Sequence, residues 1–307
     1  MKITVIGCGN AFSMINFNQS FLLSENEKKL LIDCGSRVPL ALINCGVKLS
    51  EVESIYISHA HADHIGGLEE VAFTRYDWLR HPRRWDDYQH SSQDRDYLDP
   101  NIKCVPYAPK LIANEKLIDE LWNYSLKGGL DSMEGFDSTI ETFFEPVPVK
   151  ANVPFYWQDY RFDLIQQIHI MTGSVIKYTF GLLMTKKDHK TVYFTTDSQH
   201  CSPRQIEIFY KKADIIFQDC ECTGIDTAIK QFKFSSGVHA NYAQLAGWPS
   251  ANAIRLGADI KAKMYLSHYQ DFVSKMQDGF GNHCDWYELA KQDGFAGFVA
   301  VRDTFEV

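Results

Sequence analysis

Along the first forty residues, short apolar runs alternate with polar turns: Ile3–Ile6, Ser20–Leu23 and Lys29–Asp33, the last ending at Cys34-Gly35. Runs of this length bounded by glycine and small polar residues predict strands. A helix is expected over Val38–Cys45, a strand over Ser54–Ile57 and, after Gly66-Gly67, a helix over Leu68–Thr74. The same pattern then returns: a short strand Cys104–Tyr107, a helix near Lys116–Leu126, and strands Arg161–His169, Tyr178–Thr185 and Thr191–Thr196. A helix Pro203–Lys212 leads to a strand Asp214–Cys220. A helix from about His239 to Ala246 precedes a strand Lys263–Ser267, and Gly297–Val301 closes the chain. Strands with interspersed helices, run through twice, predict an α/β plan of two sheets covered by helices.

One stretch breaks the pattern. Arg75–Lys103 has no sustained apolar period, yet it carries Tyr76, Trp78, Trp85, Tyr88 and Tyr97 among five arginines and six aspartates. It is too polar for core and too aromatic for an idle linker. It reads as an insertion, a lid or a dimer arm, within one domain spanning 1–307.

Composition narrows the partners. At 307 residues, with 45% hydrophobic and 23% charged residues, the chain has the balance of a globular protein that is not membrane-embedded. Its net charge is −8 and its basic residues occur at most in pairs, such as Arg83-Arg84 and Lys211-Lys212. Proteins that grip duplex nucleic acid draw affinity from neutralising phosphates on a basic face, so a large nucleic-acid partner is not expected. A small phosphate ester needs only a few local cations. The eight cysteines form no C-x-x-C pair, and Met1–Gly7 is strand-like rather than leader-like. Reduced thiols and a cytoplasmic location follow as expectations, without membrane contact.

The candidate chemistry lies in His59-Ala60-His61-Ala62-Asp63-His64, which follows the apolar run Ile55-Tyr56-Ile57. Imidazole nitrogen and carboxylate oxygen are ligands for zinc, manganese or iron. The chain holds only eleven histidines, and three fall within these six residues. His59 and His61, two apart on extended backbone, point the same way, while Asp63 and His64 turn to the other side. Further lone ligand types end later apolar runs: His169, Asp197 and His268. Gly7-Cys8-Gly9-Asn10-Ala11-Phe12 is superficially a dinucleotide loop, but it lacks the third glycine and a following helix.

The pattern His59-x-His61-x-Asp63-His64 with His169, Asp197 and His268 resembles the metallo-β-lactamase superfamily. That resemblance implies a four-layer αββα sandwich with the site along one edge. It implies one divalent ion on His59, His61 and His169, a second on Asp63, His64 and His268, and Asp197 as the bridge. Zinc is the expected ion and manganese the alternative. The bridging Asp197 sets the chain apart from true β-lactamases, and His61 from flavin-linked di-iron members. Asp214–Asp219 and Ser235–Asn241 are more similar to the RNase Z branch, where an acid after the equivalent strand partners a histidine before a helix. Here the histidine is His239 and the acid Asp219, with Glu221 a competitor.

That branch also contains small phosphodiesterases of the anti-Pycsar type, which degrade cyclic nucleotides. The resemblance therefore implies a dinuclear-metal phosphodiesterase acting on small nucleotides, above all cyclic ones, with catalysis on Asp63, His239, Asp219 and Glu221. Tyr76, Trp78, Trp85 and Tyr88 are the candidate substrate contacts, because aromatic rings stack on bases at about 1–3 kcal/mol each. Packing against a second subunit of a homodimer is their other expected use. The competing functions are tRNA 3′ processing, thioester or lactone hydrolysis on the same metals, and a metal-stabilised sensor without turnover.

Overall fold

Phe21 and Leu23 face one way from their strand and Leu22 the other, and this alternation sets the layering. The computed structural model describes residues 1–80, 108–133, 135–199, 202–251 and 256–307. Two large sheets stack face to face. The first is ordered Thr304–Glu306, Lys2–Gly7, Ser20–Glu25, Lys28–Ile32, Ser54–Ile57, Lys110–Asn114, Glu145–Val149. The second is ordered Gly297–Phe298, Met264–Ser267, Ile215–Asp219, Val192–Phe194, Val175–Thr185, Tyr160–Thr172, Phe155–Trp157. In each sheet one half pairs parallel and the other antiparallel.

Between the sheets Phe21, Leu23, Leu30 and Tyr56 meet Phe162, Leu182, Phe194 and Phe217 in one buried cluster. The rings of Phe21, Phe194 and Phe217 lie 4.7–5.2 Å apart. Each buried ring contributes about 1.5–3 kcal/mol of transfer free energy. The opposite face of the first sheet, with Leu22, Leu31, Ile55 and Ile57, is covered by the helices Val38–Asn44 and Leu68–Arg80. Helices Tyr242–Ala246 and Trp286–Gln292 cover the second sheet. The result is the αββα sandwich.

Several elements differ from the sequence pattern. The helix expected from His239 begins only at Tyr242, because the Asn241 side chain accepts the Ala243 amide at 3.0 Å and caps it there. His239 is left on the preceding loop. The strand Glu145–Val149 was illegible because two prolines interrupt its pattern; it lies at a sheet edge, where proline is tolerated. The chain closes not on Gly297–Val301 but on Thr304–Glu306, paired with Lys2–Thr4. The expected strand over 104–107 and most of the expected insertion, including Trp85 and Tyr88, lie outside the described residues, as does the side chain of Trp78. Among the described residues no helix is long and apolar enough to cross a membrane, and no disulfide joins the cysteines.

Candidate metal centre

Parallel strands deliver their carboxyl ends to one edge of the sandwich, and each end carries a polar residue. Ser54–Ile57 leads to Ser58 and His59, Lys28–Ile32 to Asp33, Val192–Phe194 to Asp197, and Met264–Ser267 to His268. The backbone bends sharply there: Asp33, Thr196 and His268 have φ of 60°, 54° and 64°, a region costly for residues with a Cβ. The two sheets are tied at this edge by His268 N–H donating to Cys8 O at 2.7 Å and Phe180 N–H to Ser58 O at 3.1 Å. Gly35 is required beside it, since a Cβ would run into the Asp63 carbonyl.

The ends converge into clusters that share Asp197. His59, His61, His169 and Asp197 form one, and Asp63, His64, Asp197 and His268 another, with ligand atoms in each within 4.8 Å of one another. Asp197 divides its oxygens between them. Oδ2 lies 3.8 Å from His59 Nε2 and 3.6 Å from His169 Nε2. Oδ1 lies 3.3 Å from His64 Nε2 and 3.4 Å from His268 Nε2. Asp63 Oδ2 is 3.3 Å from both His64 and His268.

On the first side, His61 Nδ1 lies 3.0 Å from His59 Nε2 and from His169 Nε2. Three nitrogens bound to one zinc ion would be about 3.3 Å apart. On the second side, His64 Nε2 and Asp197 Oδ1 are buried and make no hydrogen bond among the described residues. Both observations fit a pair of divalent ions. His169 reaches the centre through a bulge, since the register with the neighbouring strand shifts between Ile168 and Ile170.

A second layer orients the rings. Asp33 accepts the Ser58 amide at 2.8 Å and lies 2.8 Å from His64 Nδ1. Ser58 Oγ lies 3.0 Å from His59 Nδ1, and the Val238 carbonyl lies 3.0 Å from His169 Nδ1. Each partner occupies Nδ1 and leaves Nε2 for the centre. Neither Asp33 nor Val238 stood out in the sequence. A lone acid ending an apolar run was the only signal for Asp33.

Charge follows the same division. Burial, with His64 nearby, holds His59 well below its ordinary value, and burial pushes His169 down to about 4. These rings are neutral, as ligation requires. Burial also opposes charge on His64 and His268, but Asp197 and neighbouring carboxylates outweigh it; His268 is pushed up to about 10. Burial would raise Asp63 and Asp197 too, yet the surrounding histidines hold both below the carboxylate range. The acidic side calls for positive charge, which a divalent ion would supply in place of protons.

Beside the centre, His239 Nδ1 lies 2.8 Å from Asp219 Oδ2, while Asp219 Oδ1 lies 3.3 Å from His268 Nδ1. Burial disfavours charge on His239, but Asp219 reverses this and raises it. Among the described residues no hydrogen bond or ion pair joins Glu221 to His239. Its carboxylate accepts the Ser236 amide at 3.0 and 3.1 Å and the Thr223 hydroxyl. Tyr76, on the helix Leu68–Arg80, packs its ring 5.6 Å from Phe143.

The model of the family described as anti-Pycsar protein Apyc1 matches residues 1–85 and 103–305, passing over part of the aromatic insertion. The chain is similar to the anti-Pycsar protein Apyc1 of Bacillus phage vB_BveM-Goe7, 28% identical over 283 residues and covering 89% of this chain and 91% of that protein. It is similar to the protein of that name from Paenibacillus harenae, 26% identical, covering 92% and 95% of the two chains. Among solved structures, the metallo-β-lactamase fold protein YhfI from Bacillus subtilis superposes with a TM-score of 0.65 at 18% identity, covering 100% and 99%. The chain is a metal-dependent hydrolase of the metallo-β-lactamase fold. With its family's pattern running almost from end to end, it belongs to the anti-Pycsar protein Apyc1 family.

Proposed function

We propose that this metal-dependent phosphodiesterase opens the ring of 3′,5′-cyclic nucleotides to give nucleoside monophosphates. The observation that carries the reading is the split of Asp197 between two ligand clusters, with the His239–Asp219 pair alongside. His59, His61 and His169 would hold one divalent ion and Asp63, His64 and His268 the other, with Asp197 common to both clusters. Zinc is the ion suited to this mixture of imidazoles and carboxylates. Two bound ions supply Lewis acidity to the phosphoryl oxygens and bring a water's pKa toward neutrality.

The protein's own contribution is to the leaving group. Water adds to phosphorus and gives up one proton to solvent, from which His239 is later reloaded; the P–O bond to ribose breaks, and the departing oxygen needs a proton. His239, kept charged by Asp219, donates it. The Glu221 carboxylate fixes the loop on which His239 stands.

Family membership and the acidic balance of the chain, at net charge −8, favour a small nucleotide over tRNA. Buried, unpaired thiols at Cys8, Cys34, Cys220 and Cys222 support a reducing compartment such as the cytoplasm. Exposed Phe12, Met14 and Ile15, on the loop that Arg37 touches through Met14, offer an apolar surface to the second copy of a homodimer. The experiment is a substrate panel with the metal-loaded protein: 3′,5′-cyclic nucleotides, a tRNA with a 3′ trailer, and a thioester. Monophosphate formation is expected from the first group alone; activity confined to the thioester or the tRNA would overturn the reading.

A further inference from the structure

A cleft of about 510 Å3 opens from the His59, His61 and His169 side of the centre. One wall is the hairpin of Tyr160–Thr172 and Val175–Thr185, through Val175, Ile176, Lys177 and Tyr178; the other is the start of helix Glu115–Leu121, with Lys116. The hairpin end is unusually apolar for a surface: Val175, Ile176 and Tyr178 are 49%, 41% and 44% exposed. Neither Lys116 nor Lys177 has an ion-pair partner among the described residues.

The bulge that aims His169 also places these residues. Tyr178 pairs with Ile168 and Lys177 with Ile170, so they stand across the strand pair on either side of that ligand. The residues just after Tyr178 are locked to the metal loops. Thr179 Oγ1 donates to Asp197 O at 2.6 Å, Phe180 N–H to Ser58 O at 3.1 Å, and Tyr56 hydroxyl to Phe180 O at 2.6 Å. A half-exposed ring is thereby held in fixed relation to the reacting centre.

We infer that this cleft is the nucleoside subsite, with the Tyr178 ring as the stacking surface for the base. Continuity with the metal ligands favours this occupant, because a phosphodiester seated at the centre carries its nucleoside into the adjoining space. A flat apolar base fits a wall of Tyr178 and Ile176; the cleft's charged side chains, Lys116 and Lys177 beside Glu115 and Glu120, balance one another, so the apolar wall carries the recognition of the base. The inference rests on the cyclic-nucleotide reading above. It moves the base-stacking role from Tyr76, whose ring is committed to Phe143, to a residue the sequence pattern showed only as the start of a strand.

The test compares kcat/KM for a 3′,5′-cyclic nucleotide with that for methyl riboside 3′,5′-cyclic phosphate, which lacks the base. The metal-loaded wild type is expected to prefer the nucleotide by about 10- to 100-fold, the span of base stacking on an aromatic side chain. Tyr178→Ala should bring that ratio close to one, chiefly through KM, and Tyr178→Phe, which keeps the ring, should restore it. A ratio unchanged in Tyr178→Ala, or already near one in the wild type, would overturn the subsite. If the wild type hydrolyses neither ester, the phosphodiester reading itself fails, and the subsite with it.

Discussion

Asp219 holds His239 by a 2.8 Å contact to Nδ1, and its second oxygen reaches the ring of His268 on the far side. A carboxylate in this position fixes the ring's orientation and stabilises its proton-bearing form without itself meeting substrate. His239→Ala should therefore keep both ions and lose about 10²- to 10⁴-fold in kcat, the usual contribution of a positioned proton donor. Metal analysis beside steady-state kinetics checks it. Undiminished turnover with both ions bound would remove His239 from the reaction.

Glu221 clamps the loop Ser236–Ala240 at both ends. Its carboxylate takes the Ser236 amide, and its own amide donates to Ala240 O at 2.8 Å. Between those points the loop presents His239 and the Val238 carbonyl that orients His169. Glu221→Ala should lower kcat and metal affinity together by about 10- to 100-fold, as loss of an outer partner of a metal ligand does. Glu221→Gln, which keeps one acceptor, should recover part of both. Chelator competition and kinetics on the same preparations decide it; a loss of folding stability alone, with kcat and affinity intact, would contradict the clamp.

Asp271 anchors the loop after the first strand. It accepts from the Ser13 hydroxyl, from the Met14 amide at 2.7 Å and from Asn16 Nδ2 at 3.1 Å. Burial would raise its carboxyl, but these donors outweigh it and hold the group below its ordinary value. A depressed carboxyl stabilises the fold above the unfolded-state value, near 3.9, and loses that contribution as pH falls through the folded one. In metal-stripped protein, Asp271→Asn should cost about 0.5–1 kcal/mol at pH 7, the solvent around a largely exposed carboxylate screening its contacts, and progressively less in acid. Denaturant unfolding at both pH values measures it, and an equal deficit at each would refute the assignment.

Much of the candidate site was legible because its information is local. Four members of the two clusters fall within His59–His64, and His169, Asp197 and His268 each close an apolar run whose end the fold presents to one edge. Asp33 was not legible, because its role depends on parallel pairing of Lys28–Ile32 with Ser54–Ile57, which brings it under Ser58. The choice between Asp219 and Glu221 also lay beyond the pattern. Both flank Cys220, and only the path of the Ser235–Asn241 loop sends one to His239 and the other to Ser236. The layering followed from alternation in Phe21-Leu22-Leu23 and its counterparts, whereas Tyr178 gained its meaning from a bulge in the neighbouring strand, directly across from it.

In the proposed function, two ions on one seven-residue ligand set carry phosphodiester hydrolysis. The most direct measurement strips the protein with a chelator, returns zinc or manganese in steps, and follows 3′,5′-cyclic nucleotide hydrolysis against bound metal. Activity should vanish on stripping and return in full only as binding reaches two ions per chain. Hydrolysis that survives stripping, or that is complete with one ion bound, would contradict it.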